Sequence, residues 1–331
     1  MPKLRIAILG DGGWGTTLAV LLSKKGYPVT LWGAFAEYTK IMLKTRRNPK
    51  FLPKIEIPRQ VEITNDLKNA VTGKEIIVLA IPSQYTRSVL KRITGMVNKK
   101  TIFLCVTKGI EINSSKRMSE VIRDELGGVK LAVLSGPTIA GEVAKEIPTT
   151  AVAASADKQI RKIIQEVFST KRFRVYTNPD VIGVEIGGSL KNVIAIACGV
   201  SDGLGFGTNT KAAILTRGLA EISRLGKAMG AKSKTFSGIS GLGDLVTTCI
   251  SNQSRNRSVG ELIGKGKTIK EIYQNMQMVA EGVPTAKSAY ALSLKYKIDM
   301  PITREVYRLL YQNKSPAQAV NDLMTRKSKE E

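Results

Sequence analysis

Three observations predict an α/β fold in two parts. Short apolar runs alternate with helix-period segments through the first half of the chain, a glycine-rich turn follows the first run, and helical periodicity takes over from Asp180. The expected architecture is an N-terminal, mainly parallel sheet of Rossmann type over residues 1–178, followed by a C-terminal all-α domain over residues 179–331. With 331 residues, 43% of them hydrophobic, the chain is long enough to bury a core in each part.

The first run, Ile6-Ala7-Ile8-Leu9, leads into Gly10-Asp11-Gly12-Gly13-Trp14-Gly15 and then into an apolar helical pattern over residues 16–22, with Gly26 placed to end it. Strand, turn and helix in this order are the setting of a dinucleotide-binding βαβ unit. Gly10 allows a sharp turn, Gly12 lets backbone N–H groups approach a pyrophosphate, and Gly15 lets the helix pack closely on the strand with its N-terminal dipole facing the anion. Gly13 and Trp14 complete the turn, and the bulk of Trp14 suits either a wall for the nicotinamide half of a cofactor or packing at the helix start. Further strands are expected at residues 28–32, 75–81, 101–106 and 131–134, whose continuous apolar character suits strands covered on both faces. Residues 150–154 and 173–176 extend the sheet, with a helix over 158–168 between them.

Beyond Asp180, helical periods occur at residues 193–197, 212–229, 269–276, 285–296 and 302–310. Glycine-rich pieces at residues 199–207 and 238–243 read as turns between helices or as ligand-facing loops. Residues 326–331 read as a charged, frayed end.

Composition narrows the setting. Fifty-one lysines and arginines against 27 acidic residues give a formal net charge of +24, which attracts phosphometabolites, nucleic acid and acidic lipid headgroups alike. The basic residues are spread along the chain and aromatics make up only 5%, a pattern of a solvated basic surface rather than a dedicated nucleic-acid interface. Peripheral contact with membranes stays open. Cys105, Cys198 and Cys249 lie in apolar or small-residue surroundings without metal-ligand spacing, so neither a metal site nor a disulfide framework is expected. A strand begins within a few residues of Met1, no cleavable apolar segment precedes it, and no uninterrupted apolar stretch reaches membrane-spanning length. A cytoplasmic protein is therefore expected.

The chain contains no histidine, which removes the imidazole acid/base chemistry of many hydroxy-acid dehydrogenases. A lysine can move the proton instead, where burial or a neighbouring cation brings its pKa toward the working pH. Lys191, in Glu185-Ile186-Gly187-Gly188-Ser189-Leu190-Lys191-Asn192, is the best-placed candidate. On a helix Gly187 and Gly188 lie one turn before it on the same face, leaving a dent for a nicotinamide ring and a small carbonyl. Lys108 follows a strand at the carboxyl edge of the sheet, where open α/β folds bind ligands, and is a candidate to orient a substrate. Ser254 can cap a helix whose first-turn N–H groups, with Arg255 and Asn256, form an anion site; a capped surface helix with exposed arginines is the plainer alternative.

These segments resemble a known family. Residues 10–15 with Trp14, Ile81-Pro82-Ser83, Thr107-Lys108-Gly109-Ile110-Glu111, Ser135-Gly136-Pro137, the Lys191-Asn192 segment, Gly241-Leu242-Gly243-Asp244-Leu245 and Ser254-Arg255-Asn256-Arg257 occur in the order seen in bacterial NAD(P)-dependent glycerol-3-phosphate dehydrogenases. The likeness runs over nearly the whole chain. It implies reversible NAD(P)H-dependent reduction of dihydroxyacetone phosphate to sn-glycerol 3-phosphate, feeding glycerophospholipid synthesis, in a cytoplasmic homodimer with Lys191 as general acid/base.

The resemblance also implies roles residue by residue. Lys108, Gly136, Thr138, Lys191, Asp244, Ser254, Arg255 and Asn256 fall to the substrate. Gly10, Gly12, Gly13, Trp14, Gly15, Phe51, Lys108, Ala140, Arg255, Val279 and Glu281 fall to the cofactor. Asp244 is expected to fix the direction of the Lys191 ammonium, with a purely structural ion pair as the alternative. The coenzyme is NAD or NADP. After the second strand stands Trp32-Gly33-Ala34-Phe35, with neither the acid that takes a ribose hydroxyl nor the base that takes a 2′-phosphate, and the missing base inclines the reading to NAD.

Overall fold

The computed structural model describes residues 3–276, 279–328 and 330, with Asn275 described by its backbone alone. It divides into two compact units, one of Met1–Lys108 with Arg117–Val184, the other of Gly109–Lys116 with Glu185–Glu331.

The first unit alternates strand and helix: β1 (Ile6–Leu9), α1 (Gly13–Lys24), β2 (Val29–Trp32), α2 (Ala36–Thr45), β3 (Arg47–Asn48), β4 (Leu52–Glu56), β5 (Val61–Thr64), α3 (Leu67–Val71), β6 (Ile76–Leu79), α4 (Ser83–Ile93), β7 (Ile102–Cys105), α5 (Met118–Leu126), β8 (Lys130–Ser135), α6 (Ala140–Ala144), β9 (Thr149–Ala154), α7 (Lys158–Phe168) and β10 (Phe173–Asn178). Among the described residues one sheet has the order β10-β9-β8-β7-β6-β1-β2-β5, and β3 pairs with β4 apart from it. Neighbours in the large sheet are parallel except β8 and β9, so β9 and β10 run against the rest. Every residue of β1, β2, β6 and β7 is buried, which is why these strands, Thr30 apart, are apolar. Leu9 lies beside Trp32 and Leu79, so the three central strands finish level at the glycine turn.

Three features of this unit differ from expectation. The small hairpin β3–β4 around Asn48-Pro49-Lys50-Phe51 and the edge strand β5 were not anticipated. Helix α1 begins at Gly13, not Thr16, because the last glycines of the turn already adopt helical backbone.

The second unit is helical. It takes up α8 (Val181–Gly203) from Glu185 onward, then α9 (Thr208–Ala228), α10 (Ser233–Phe236), a wide π-type turn (Ile239–Gly243), α11 (Asp244–Ile250), α12 (Arg255–Gly264), α13 (Ile269–Asn275), α14 (Gly282–Lys295), α15 (Pro301–Tyr311) and α16 (Pro316–Met324). Helix α8 corrects the reading of residues 199–207 as a turn, since it runs on through Gly199 to Gly203. Its glycines serve a close crossing with α12. A Cβ on Gly199 would lie 1.9 Å from the Arg257 carbonyl oxygen, and one on Gly260 would lie 2.0 Å from that of Ile196. Helix α8 is long and apolar enough by composition to cross a membrane, although Glu185, Lys191 and Asp202 interrupt its apolar run. It is a core helix of the fold, with 83% of its most apolar 18-residue window buried.

The N-terminus of α15 is capped from a distance. Glu221 on α9 is buried and accepts hydrogen bonds from the backbone N–H of Ile302 (2.6 Å) and Thr303 (3.0 Å) and from the Thr303 hydroxyl (2.9 Å). All three cysteines are free and buried. Of the expected charged tail, Lys329 and Glu331 lie outside the described residues.

Candidate active site

In the first unit the glycine turn forms a cradle. Gly10 has φ +118°, a conformation that favours glycine, and a Cβ there would lie 2.5 Å from the Ala80 carbonyl oxygen. A Cβ on Gly15 would lie 1.9 Å from the Gly10 carbonyl oxygen, so this glycine lets α1 sit directly on the turn. Gly12, by contrast, faces open space: nothing stands within 4 Å of a Cβ built on it. No side chain caps α1 and its first turn carries no acidic residue. Open room in front of an uncapped helix start is what a dinucleotide pyrophosphate requires, so these residues fit that group.

Two other loops of this unit meet the turn. A Cβ built on Gly13 would lie 3.1 Å from the Phe51 carbonyl oxygen and 3.8 Å from Ala140 Cβ, and the Thr17 hydroxyl donates to the Ala140 carbonyl at 3.1 Å. Asn48, fully buried, ties the hairpin down. Its Nδ2 donates to the Asp11 carbonyl and to Thr16 Oγ1, both at 2.7 Å, while its Oδ1 accepts from the Phe51 N–H and the Tyr38 hydroxyl. Trp14 packs toward Phe173 with ring centroids 6.4 Å apart, and its buried Nε1 has no hydrogen-bond partner among the described residues. Asp11 Oδ2 is likewise buried, with no hydrogen-bond donor among the described residues. Burial pushes the Asp11 carboxyl above the ordinary range, opposed by its own backbone N–H and by Lys50. Separately, Lys108 Nζ donates to the Gly136 carbonyl at 2.8 Å and lies 3.5 Å from Thr138 Oγ1, which itself donates to Gly136 at 3.1 Å.

In the second unit Lys191 is buried on α8. Its Nζ lies 2.6 Å from Asp244 Oδ1 and donates to Thr248 Oγ1 at 2.6 Å. Thr248 in turn donates its proton to the Asp244 carbonyl at 2.7 Å, which turns an oxygen lone pair toward the ammonium. The wide turn before α11 brings Asp244 there. A Cβ on Gly187 would lie 2.7 Å from the Ser240 carbonyl oxygen, so at Gly187 the expected dent is filled by backbone of this turn.

One helical crossing away is the second cluster. Ser254 caps α12, its Oγ accepting from the Arg257 N–H at 3.3 Å. Asn256 is buried; its Nδ2 donates to Asn192 Oδ1 at 2.9 Å and its Oδ1 accepts from the Gly282 N–H at 2.8 Å. Arg255 keeps an exposed face, donates to the Val279 carbonyl at 2.8 Å and lies in the field of Glu281, the residue before α14. Loss of hydration lowers the Arg255 guanidinium from its ordinary value and Glu281 opposes this; an arginine so placed stays charged. Ser254, Arg255, Asn256, Val279 and Glu281 are thus brought together, and Asn192 joins them to the helix that carries Lys191.

Thr248 was not singled out from the sequence as a site residue, and Asn192 was noted only as part of a motif. Thr248 stands one helical turn after Asp244, a spacing that puts both on one face of α11, and that offset was the available clue. The work of Asn48 and Asn192 depends on partners distant in sequence.

Comparison with known proteins agrees with this arrangement. Residues 5–161 match the model of the NAD-dependent glycerol-3-phosphate dehydrogenase N-terminus, and residues 180–321 match that of its C-terminus. A glycerol-3-phosphate dehydrogenase [NAD(P)+] of Prosthecochloris aestuarii is 51% identical over 329 residues, covering 98% of this chain and 99% of the relative. One from a Thermoanaerobacter species is 49% identical, covering 99% of each. The crystal structure of a glycerol-3-phosphate dehydrogenase from Coxiella burnetii superposes with a TM-score of 0.95 at 42% identity, over 98% of this chain and 99% of that one. With a Rossmann-type unit bearing an open glycine cradle, a helical unit bearing a buried lysine, and both halves matched, this chain belongs to the NAD-dependent glycerol-3-phosphate dehydrogenase family.

Proposed function

We propose that this protein interconverts dihydroxyacetone phosphate and sn-glycerol 3-phosphate with Lys191 as general acid/base, working in the reducing direction as a cytoplasmic homodimer that feeds glycerophospholipid synthesis. The observation that carries the reading is the buried ammonium of Lys191, held by Asp244 and Thr248. Both partners are acceptors, so the lysine rests as a proton donor. A nicotinamide dinucleotide, NAD or NADP, supplies the hydride in reduction and takes it in oxidation.

In the first unit Gly10, Gly12, Gly13, Trp14 and Gly15 bind that cofactor, with Phe51, Lys108 and Ala140 beside it. In the second unit Arg255, Val279 and Glu281 are its contacts. Ser254, Arg255 and Asn256 take the substrate phosphate through the start of α12 and a charged guanidinium. Lys108, Gly136 and Thr138 bind and orient the rest of the substrate. As the ketone carbon is reduced, Lys191 Nζ gives its proton to the ketone oxygen, which becomes the hydroxyl of the product; in the reverse direction Nζ takes that proton back. Asp244 keeps the ammonium aimed.

Lys191→Ala should retain coenzyme binding while kcat falls by about 10²–10⁴-fold, the span of general acid–base catalysis. Steady-state turnover beside coenzyme fluorescence titration separates the two. A fully active variant would remove Lys191 from the reaction.

A further inference from the structure

Enzymes of this fold that prefer NAD often carry an acid after the second strand to accept the ribose 2′-hydroxyl, and here that position is Gly33. The structure shows why no side chain stands there. A Cβ on Gly33 would lie 2.4 Å from Asp11 Oδ2 and 2.9 Å from Thr39 Oγ1, so the Asp11 carboxylate fills the space a side chain of residue 33 would occupy. Asp11 reaches it from the glycine turn, between Gly10 and Gly12, and its main chain is fixed by Asn48 and Thr16 on its carbonyl. The Thr39 proton goes to the Phe35 carbonyl, leaving Asp11 Oδ2 buried with no donor. A buried carboxylate oxygen without a donor is costly, and a hydroxyl would satisfy it.

We propose that Asp11 is the coenzyme-selecting residue of this chain: its carboxylate accepts a ribose hydroxyl of NAD and repels the 2′-phosphate of NADP. The inference deepens the dinucleotide reading of the first unit and rests on it. Ala34 and Phe35, which follow Gly33, offer no cation to a phosphate. Lys50 does face the carboxylate, but it is an exposed side chain lying over the Phe51 ring at 5.3 Å, whereas Asp11 is anchored. Selection therefore follows the anchored charge.

Direct titration of the purified protein with NADH and with NADPH tests this without requiring turnover. The wild-type protein should bind NADH about tenfold or more tightly than NADPH, and Asp11→Asn, which keeps the shape and removes the charge, should raise the NADPH-to-NADH affinity ratio by about tenfold. Asp11→Ser should move the ratio the same way, which guards against a folding defect in either variant. Equal affinities in the wild type, a preference for NADPH, or an unchanged ratio in both variants would overturn the role of Asp11. Selective NADH binding that Asp11→Asn relaxes, in a protein that turns over no dihydroxyacetone phosphate, would support Asp11 and contradict the proposed reaction. Binding of neither coenzyme would overturn both.

Discussion

A lysine is an ordinary residue in a chain with 51 lysines and arginines, and what separates Lys191 from the others is what touches it. An ammonium with one carboxylate and one hydroxyl as partners has a defined direction, and the hydroxyl is itself aimed because its proton is spent on the Asp244 carbonyl. Thr248→Val keeps the volume and removes that acceptor. It should lower kcat on the order of tenfold with little change in the KM for coenzyme, and Thr248→Ser should restore most of the rate, since misplacing a reacting group is costly even when binding survives. Equal kcat in the wild type and Thr248→Val would make Thr248 a packing residue only. Lys191 and Asp244 stand out in the sequence through their motifs and through the absence of histidine. Thr248 does not, because its contribution depends on α11 swinging against α8. Asn192 is visible in a motif, yet its bond to Asn256 joins residues 64 apart in sequence, beyond the reach of local pattern.

At the scale of elements, the crossing of α8 and α12 sets the spacing between Lys191 and the start of α12, where the substrate phosphate is proposed to bind. Gly199 and Gly260 bring the two backbones into contact, and no side chain can be accommodated at either without moving a helix. Gly199→Ala should cost about 1–3 kcal/mol of stability, the usual range for overpacking, and should raise the KM for the phosphorylated substrate more than that for coenzyme. Urea unfolding and steady-state kinetics read the two effects; unchanged stability would mean that the helices separate freely. The same glycines explain a misreading. Glycine in sequence signals a turn through its backbone freedom, but at residues 199–203 it marks close helix packing, which depends on a partner 60 residues away. The buried strands were legible because both their faces are covered and their residues, Thr30 apart, are apolar. Strand β5 was not: its Val61-Glu62-Ile63-Thr64 alternates buried and more exposed positions over four residues at the sheet edge. The β3–β4 hairpin is shorter still on one side, and it is held by the Asn48 hub rather than by any strand-like run.

The whole molecule, of formal net charge +24, combines a Rossmann-type unit with a helical unit that carries the proposed proton donor and the proposed anion site. Such a charge draws phosphorylated metabolites toward the protein but does not choose among them. Under the proposed function the choice falls to the Ser254, Arg255 and Asn256 cluster, which would then have no purpose in reducing an unphosphorylated ketone. If binding energy from the phosphate is used to position the reacting carbonyl, loss of that group should lower turnover as well as affinity. The deciding measurement is coenzyme oxidation by the wild-type protein, with NADH and with NADPH, on dihydroxyacetone phosphate and on dihydroxyacetone. Turnover of the phosphorylated ketone is expected, with kcat/KM for dihydroxyacetone lower by at least about 10²-fold. Absence of turnover on dihydroxyacetone phosphate with both coenzymes, or equal rates on the two ketones, would contradict the proposed function.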